Sequence, residues 1–332
     1  MKGRAMRTLR VLTVAAAIAV CTVILSACGA TFDRTKTRVG SNLAPVAREA
    51  GQQLKVVATT GQIAEAVQRV GGNRVITHGL MGSGVDPHLY RASESDITRL
   101  ESADAVFWNG LHLEAGMSGV LERMGELGVH SIRVTDDIDR DRLLAPPEFE
   151  GAYDPHVWFD LDLWTTVVKT IRNALIEMDP ENTEVYRANA AAYIAQIEEL
   201  DAYVKARALE VEEGARVLVT AHDAFNYFAN RYGMEVHGLQ GISTESEAST
   251  ADVQELAKFI SDRGIPAIFI ESSVPDQGVQ AVIEATAARG HTVTIGGEIF
   301  SDAMGAEGTE EGTYLGMIRH NIDTIVEALR RT

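Results

Sequence analysis

Cysteine is nearly absent: the 332 residues hold two, Cys21 and Cys28. That excludes a disulfide-stapled scaffold and a cysteine-rich zinc module. An excess of basic residues is also lacking. Lys and Arg number 30 against 47 Asp and Glu, a formal charge of −17, which makes nucleic acid a poor partner because affinity there rests on neutralising phosphates. Long apolar runs are limited to one, Val11 to Leu25, shorter than the ~20 residues that span a bilayer. Neither an H-E-x-x-H helix nor a G-x-S-x-G nucleophile elbow occurs, so two common hydrolase signatures are missing. Nothing marks an exposed aromatic binding patch. With 45% apolar and 23% charged residues, the composition is globular, and the length suits two lobes of ~120–150 residues.

What is present begins with an address. Lys2, Arg4, Arg7 and Arg10 precede the apolar run, which ends at Leu25-Ser26-Ala27-Cys28. Small residues before a cysteine at the end of such a run form a cleavage site, and the segment resembles a bacterial lipoprotein signal. Residues 1–27 are then removed, and Cys28 becomes the lipidated first residue, anchoring an extracytoplasmic protein to the cell membrane. The mature chain has no free thiol, so a metal site has to be built from His, Asp or Glu. Residues 28–53 are polar without apolar periodicity and read as a flexible tether.

The body reads as βα units in two halves. Leu54 to Ala58 is a β-branched run followed by a turn and a helical pattern closing at Gly71. Val75 to Met81 and Ala105 to Trp108 are further strands, with a capping box at Ser93 and Asp96 opening a helix between them. Trp164 to Met178 is amphipathic and is broken by Asp179-Pro180. No Pro or Gly interrupts Glu181 to Glu213, which predicts a rod of ~50 Å spanning both lobes. Strands follow at Val217 to Thr220, Val236 to Leu239, Ala267 to Glu271 and His291 to Ile295, alternating with helices. The expected fold is therefore α/β: two lobes, 54–178 and 214–332, each a mostly parallel sheet flanked by helices, joined by a connecting helix over 179–213.

The chemistry lies in a repeat. Asp86-Pro87-His88-Leu89-Tyr90 recurs 68 residues later as Asp154-Pro155-His156-Val157-Trp158. Asp-Pro fixes the backbone, so each histidine leaves a rigid turn in a set direction, as a metal site requires. His222 follows the strand ending at Thr220, and Asp302 follows the strand over 292–295, both at the sheet edge where α/β folds bind ligands. His88, His156, His222 and Asp302 would place three imidazoles and a carboxylate in the cleft between lobes. On the residues alone, His222 also reads as a core or capping histidine, and Asp302 as a helix N-cap. His78, His112, His130, His237, His291 and His320 lack a rigid repeated context and read as ordinary histidines.

The chain resembles the TroA-like family, the zinc- and manganese-binding solute-binding lipoproteins of bacterial ABC importers. The carriers are residues 84–90, Asn109-Gly110-Leu111-His112-Leu113-Glu114, Asp154 to Trp158, residues 220–225, residues 238–244 and residues 296–302. The resemblance implies two α/β lobes joined by one long helix, with the ligands on His88, His156, His222 and Asp302. It also implies one Zn2+ or Mn2+ as cargo, a permease with its ATPase as partners, and a monomer. Manganese members generally carry Glu at the third ligand, where this chain has His222. Zinc members often carry a His-rich loop before the second ligand, where residues 143–153 hold no His. Capture by neutral imidazoles predicts affinity falling below pH ~6.5, and the helical connector predicts small lobe tilts on binding. Two other functions were weighed: a metal-dependent hydrolase using Glu245 or Glu271 as base, and a surface adhesin.

Overall fold

The first βα unit shows how the chain is built. Strand β1 (Leu54–Ala58) is buried, and the Thr60 hydroxyl caps helix α1 (Gly61–Gly71) by accepting from the Ile63 amide. The computed structural model describes residues 43–49, 51–149 and 151–330. The leader, Cys28 and the first part of the tether lie outside the described residues.

Three more strands complete the N-terminal sheet: β2 (Val75–Gly79), β3 (Ala105–Trp108) and β4 (His130–Arg133). Helix α2 (Glu94–Glu101), opened by the expected Ser93/Asp96 capping box, and the short α3 (Ser118–Arg123) connect them. The sheet order is β2-β1-β3-β4, and every pair is parallel. The carboxyl ends of β1 and β3, the two central strands, point at one edge of the lobe, where parallel sheets present ligand-binding loops.

The C-terminal lobe repeats the plan. β5 (Val217–His222) pairs in parallel with β6 (Glu235–Gln240), and β7 (Ala267–Glu271) with β8 (Thr294–Ile299). β5 lies beside β7. Helices α6 (Asn226–Tyr232), α7 (Thr250–Arg263) and α8 (Gln277–Ala288) form the crossovers. Neither α7 nor β4 was anticipated, although Ser249 and Asp252 form a capping box that announces α7.

Between the lobes run α4 (Leu161–Met178) and α5 (Thr183–Ala208). The rod is shorter than the expected 181–213. A 3-10 turn at Pro180–Asn182 delays its start, and the chain leaves the helix at Leu209. Twenty-six residues give a length of about 39 Å. Its buried stripe, Tyr186, Ala190, Tyr193, Ile197, Leu200 and Val204, recurs every three or four residues. That stripe packs on α1 and α4 of one lobe and on α9 (Tyr314–Leu329) of the other. Polar ties pin both ends: Asn189 donates to the Val70 carbonyl at 3.0 Å, and Arg207 pairs with Asp323 at 2.7 Å. One apolar core runs without a break from Leu54 and Val56 through Ile197 to Phe269 and Ile322. Ile197→Ala is expected to cost about 2–5 kcal/mol, read as a lower urea midpoint, because Ile197 is fully buried in that shared core.

Two expectations need correction. The tether does not extend to residue 53. Leu43 and Val46 pack on the core, the Val46 amide donates to the Met178 carbonyl at 2.9 Å, and Arg48 pairs with buried Asp179 at 2.7 Å. These isolated contacts carry no periodicity for the sequence to betray. The last strand begins at Thr294, not His291, and reaches Ile299. Gly296 and Gly297, beyond the expected strand end at Ile295, are strand residues. A Cβ on Gly296 would lie 2.7 Å from the Phe269 ring, and one on Gly297 2.4 Å from Thr324 of α9. The glycines let helix and strand approach closely.

Candidate metal centre

Each histidine of the repeat is aimed by its own aspartate. Asp86 Oδ1 accepts from the His88 amide at 2.8 Å, and Asp154 Oδ1 from the His156 amide at 2.9 Å. These are Asx turns, in which a carboxylate bonds the backbone two residues on. Asp-Pro-His therefore encodes a side-chain-locked turn as well as a restricted backbone. The copies differ in their second contact. Asp154 Oδ1 also takes His156 Nδ1 at 2.7 Å, whereas Asp86 Oδ2 takes the Thr244 hydroxyl of the other lobe at 2.5 Å.

His222 is the last residue of β5, beside Glu271, the last residue of β7. Glu271 accepts both the His222 amide at 2.8 Å and its Nδ1 at 2.5 Å. With Nδ1 of His156 and His222 bound to carboxylates, their Nε2 atoms are left to face inward. Asp302 follows β8 and caps no helix, since α9 is capped by Thr313. The backbone of the Asp302 turn is held from the N-terminal lobe: Gln62 donates to the Asp302 carbonyl and Trp158 Nε1 to the Ser301 carbonyl, both at 3.0 Å.

The four expected ligand residues converge. One donor atom from each of His88, His156, His222 and Asp302 lies within 4.8 Å of the others, and all four residues are buried. His88 Nε2 is 3.3 Å from His156 Nε2. His156 Nε2 is 3.3 Å from Asp302 Oδ1, and His222 Nε2 is 3.3 Å from Asp302 Oδ2. His88 Nε2 is 3.8 Å from Asp302 Oδ2. A tetrahedral ion with ligand bonds of about 2.1 Å separates its donors by about 3.4 Å, so the spacing fits a single first-row divalent ion. Both Asp302 oxygens and His222 Nε2 are buried with no hydrogen-bond partner, a costly state that coordination relieves. Because the two oxygens face different imidazoles, the site can supply four or five donors.

Protons are held unevenly. Burial pushes His88 down to about 3, with Asp302 opposing. Burial also acts to lower His156, but Asp154 and Asp302 outweigh it and push that imidazole up to about 9. His222 is raised well above the ordinary range, burial being overcome by Glu271 and Asp302. Asp302 is held well below it, its burial outweighed by His222 and His156.

The histidines other than His88, His156 and His222 are not part of this cluster. His291 Nε2 meets the Ile265 carbonyl, His320 Nε2 the Glu298 carbonyl, and His237 pairs with Glu235. The sequence reading missed Glu271 as the partner of His222, though its place at the end of an apolar strand was visible. It also missed Asn226, whose amide bridges Asp154 at 3.2 Å and Asp223 at 3.0 Å, joining the supports of His156 and His222. Packing around His222 leaves no slack: a Cβ on Gly238 would sit 2.5 Å from the Asp223 amide nitrogen. Gly238→Ala is expected to destabilise by about 1–3 kcal/mol through overpacking and to weaken metal binding, measured by urea unfolding and by metal titration of the folded fraction.

Comparisons with known proteins identify the family. The family model described as the zinc-uptake complex component A, periplasmic, matches residues 56–328. The manganese-binding lipoprotein MntA of Bacillus subtilis is 48% identical over 284 residues, 85% of this chain and 92% of its own length. The zinc-binding protein TroA of Treponema pallidum is 51% identical over 277 residues, 83% of this chain and 89% of its own. The solved structure of the periplasmic zinc-binding protein TroA from Treponema pallidum superimposes with a TM-score of 0.81 at 50% identity, covering 83% of this chain and 99% of that one.

Proposed function

The chain belongs to the family of zinc-uptake complex component A, and from that premise we propose that it captures one divalent transition-metal ion, Zn2+ or Mn2+, and delivers it to the permease and ATPase of an ABC importer. It is a binding component and not an enzyme. Its ligands are His88, His156, His222 and Asp302, two from each half of the chain. The observation that carries this reading is their convergence, with donor separations of 3.3–3.8 Å. Neither alternative finds support. Of the two bases expected for a hydrolase, Glu271 is buried and engaged with His222 and Glu245 is exposed, and no feature of the described residues favours an adhesin.

Three imidazoles and a carboxylate suit zinc, and the general affinity order places zinc above manganese. The second Asp302 oxygen makes room for the higher coordination number that manganese accepts. Relatives named for zinc and for manganese are almost equally similar. We place the protein outside the cytoplasm, tethered through a lipid on Cys28 and acting as a monomer; the leader pattern and the name of the Bacillus subtilis relative, a lipoprotein, support the anchor. Among the described residues no helix is long and apolar enough to cross a membrane. Elemental analysis of protein purified without chelator is expected to give one zinc or manganese per chain, and competitive titration to rank the two. A wild-type preparation that neither retains nor takes up either ion would sink the reading.

A further inference from the structure

The segment Asn109 to Glu114 supplies no ligand, yet it is the most constrained loop of the N-terminal lobe. Gly110, Leu111 and His112 all have positive φ, at 81°, 53° and 69°. Leu111 and His112 are the only non-glycine residues in that region among the described residues. Two adjacent side-chain-bearing residues in left-handed conformation are sterically disfavoured, and such strain persists only where surrounding structure over-determines it.

The over-determining group is Glu114. Its carboxylate is buried, and it collects three donors: the Thr59 hydroxyl at 2.7 Å, the Asn109 amide at 2.7 Å and the Gly110 amide at 3.1 Å. Thr59 follows β1 and Asn109 follows β3, so one carboxylate fastens the ends of the two central strands at the edge that carries the site. The Thr135 hydroxyl, beyond β4, donates to the Asn109 carbonyl at 2.6 Å. From this knot a single side chain reaches the metal loop: Asn109 Nδ2 donates to the Pro155 carbonyl at 3.0 Å. Pro155 lies between Asp154 and His156. The other end of that amide, Asn109 Oδ1, is buried without a partner. A fully buried amide kept at the cost of an unsatisfied oxygen calls for an explanation.

We propose that Asn109 and Glu114 are positioning residues for the metal site: Glu114 locks the strained loop after β3, and Asn109 transmits that rigidity to the turn that aims His156. The inference rests on the metal-capture reading above. Glutamine cannot replace Glu114, because its NH2 would face the Gly110 N–H that one carboxylate oxygen accepts. Asn109→Ala removes the reach to Pro155 and a longer contact of the same Nδ2 to the Gly110 carbonyl at 3.2 Å, leaving the Glu114 contacts to the Asn109 and Gly110 backbone in place.

The test compares wild type, Asn109→Ala and Glu114→Gln. Zn2+ affinity is read by competition with a chromophoric chelator, ligand geometry by the visible absorption bands of the Co2+-loaded protein, and folding by the Tm of the metal-free protein. Asn109→Ala is expected to weaken Zn2+ binding about tenfold, as loss of outer-sphere support does, and to shift the Co2+ bands while the metal-free Tm stays near wild type. Glu114→Gln is expected to lower affinity and Tm together, and if it fails to fold, the alanine variant decides. Wild-type Zn2+ affinity and Co2+ bands in Asn109→Ala would overturn the proposal. Wild-type protein that binds neither Zn2+ nor Mn2+ would overturn the metal-capture reading and this inference with it.

Discussion

His156→Ala is expected to lose most of the stabilisation that metal confers on the wild-type protein. A ligand that binds only the folded state at 1,000 times its dissociation constant stabilises by about 4 kcal/mol, which raises the Tm of a chain this size by about 8 °C. Removing an outer-sphere partner of a metal ligand costs 10–100-fold in affinity, and removing the ligand itself costs more. At the same metal concentration, a hundredfold loss leaves about 1.4 kcal/mol and a rise of about 3 °C. Removal of the His156 ring also takes one donor from Asp154. That buried carboxylate bonds His156 Nδ1, the backbone amide of residue 156 and the Asn226 amide. Losing a hydrogen bond to a buried charged group costs about 1–3 kcal/mol, so the metal-free variant should melt below metal-free wild type. Differential scanning fluorimetry with and without Zn2+ reads both effects. A variant that keeps the full metal-induced shift would remove His156 from the coordination sphere.

The parts of this molecule that the sequence makes legible are those whose cause is local. The continuous apolar run at Ala105–Trp108 marks a buried parallel strand because helices cover both faces, and the β-branched run at Leu54–Ala58 marks its neighbour. The Ser93/Asp96 box marks a helix start because the two residues satisfy each other. The Asp-Pro-His repeat is legible because a restricted turn is written in three adjacent residues. What hides is non-local. The 2-1-3-4 order that makes β1 and β3 central is set by crossovers, not by composition. Glu271 supports His222 only because β5 lies beside β7, a proximity that no spacing in the chain encodes. Asp302 reads as a ligand or as a helix cap, since aspartate favours caps. What holds its backbone is Gln62, 240 residues away. Gly296 and Gly297 are illegible for a similar reason: only the closeness of Phe269 and Thr324 shows why a strand carries two glycines.

Metal affinity is expected to rise by ten- to a hundredfold per pH unit between pH 6 and 8, a steeper and higher-lying dependence than the loss below pH ~6.5 that free imidazoles would give. In the metal-free site His156, raised to about 9, and His222, raised well above the ordinary imidazole range by Glu271 and Asp302, hold protons through neutrality. Their Nδ1 protons already go to Asp154 and Glu271, so the proton that metal displaces is on Nε2. Each displaced proton makes affinity climb tenfold per unit of pH, and two make it climb a hundredfold. His88, lowered to about 3, is neutral throughout and releases none. The same shifts set the stability of the metal-free fold. His156 titrates higher folded than unfolded, so its contribution is complete below pH ~6.5 and is lost as pH rises through about 9. His88 titrates lower folded than unfolded, so its contribution is lost as pH falls from ~6.5 toward 3. Metal-free and metal-loaded proteins should therefore diverge in Tm as pH rises from 6.5 to 9. Calorimetric titration in two buffers of different ionisation enthalpy should count one to two protons released per Zn2+. Asp154→Asn provides the control, since it removes the charge that raises His156 while keeping an acceptor for its Nδ1. Its release should drop by about one proton and its affinity slope should flatten correspondingly. An unchanged proton count in that variant would mean that His156 is not the titrating ligand.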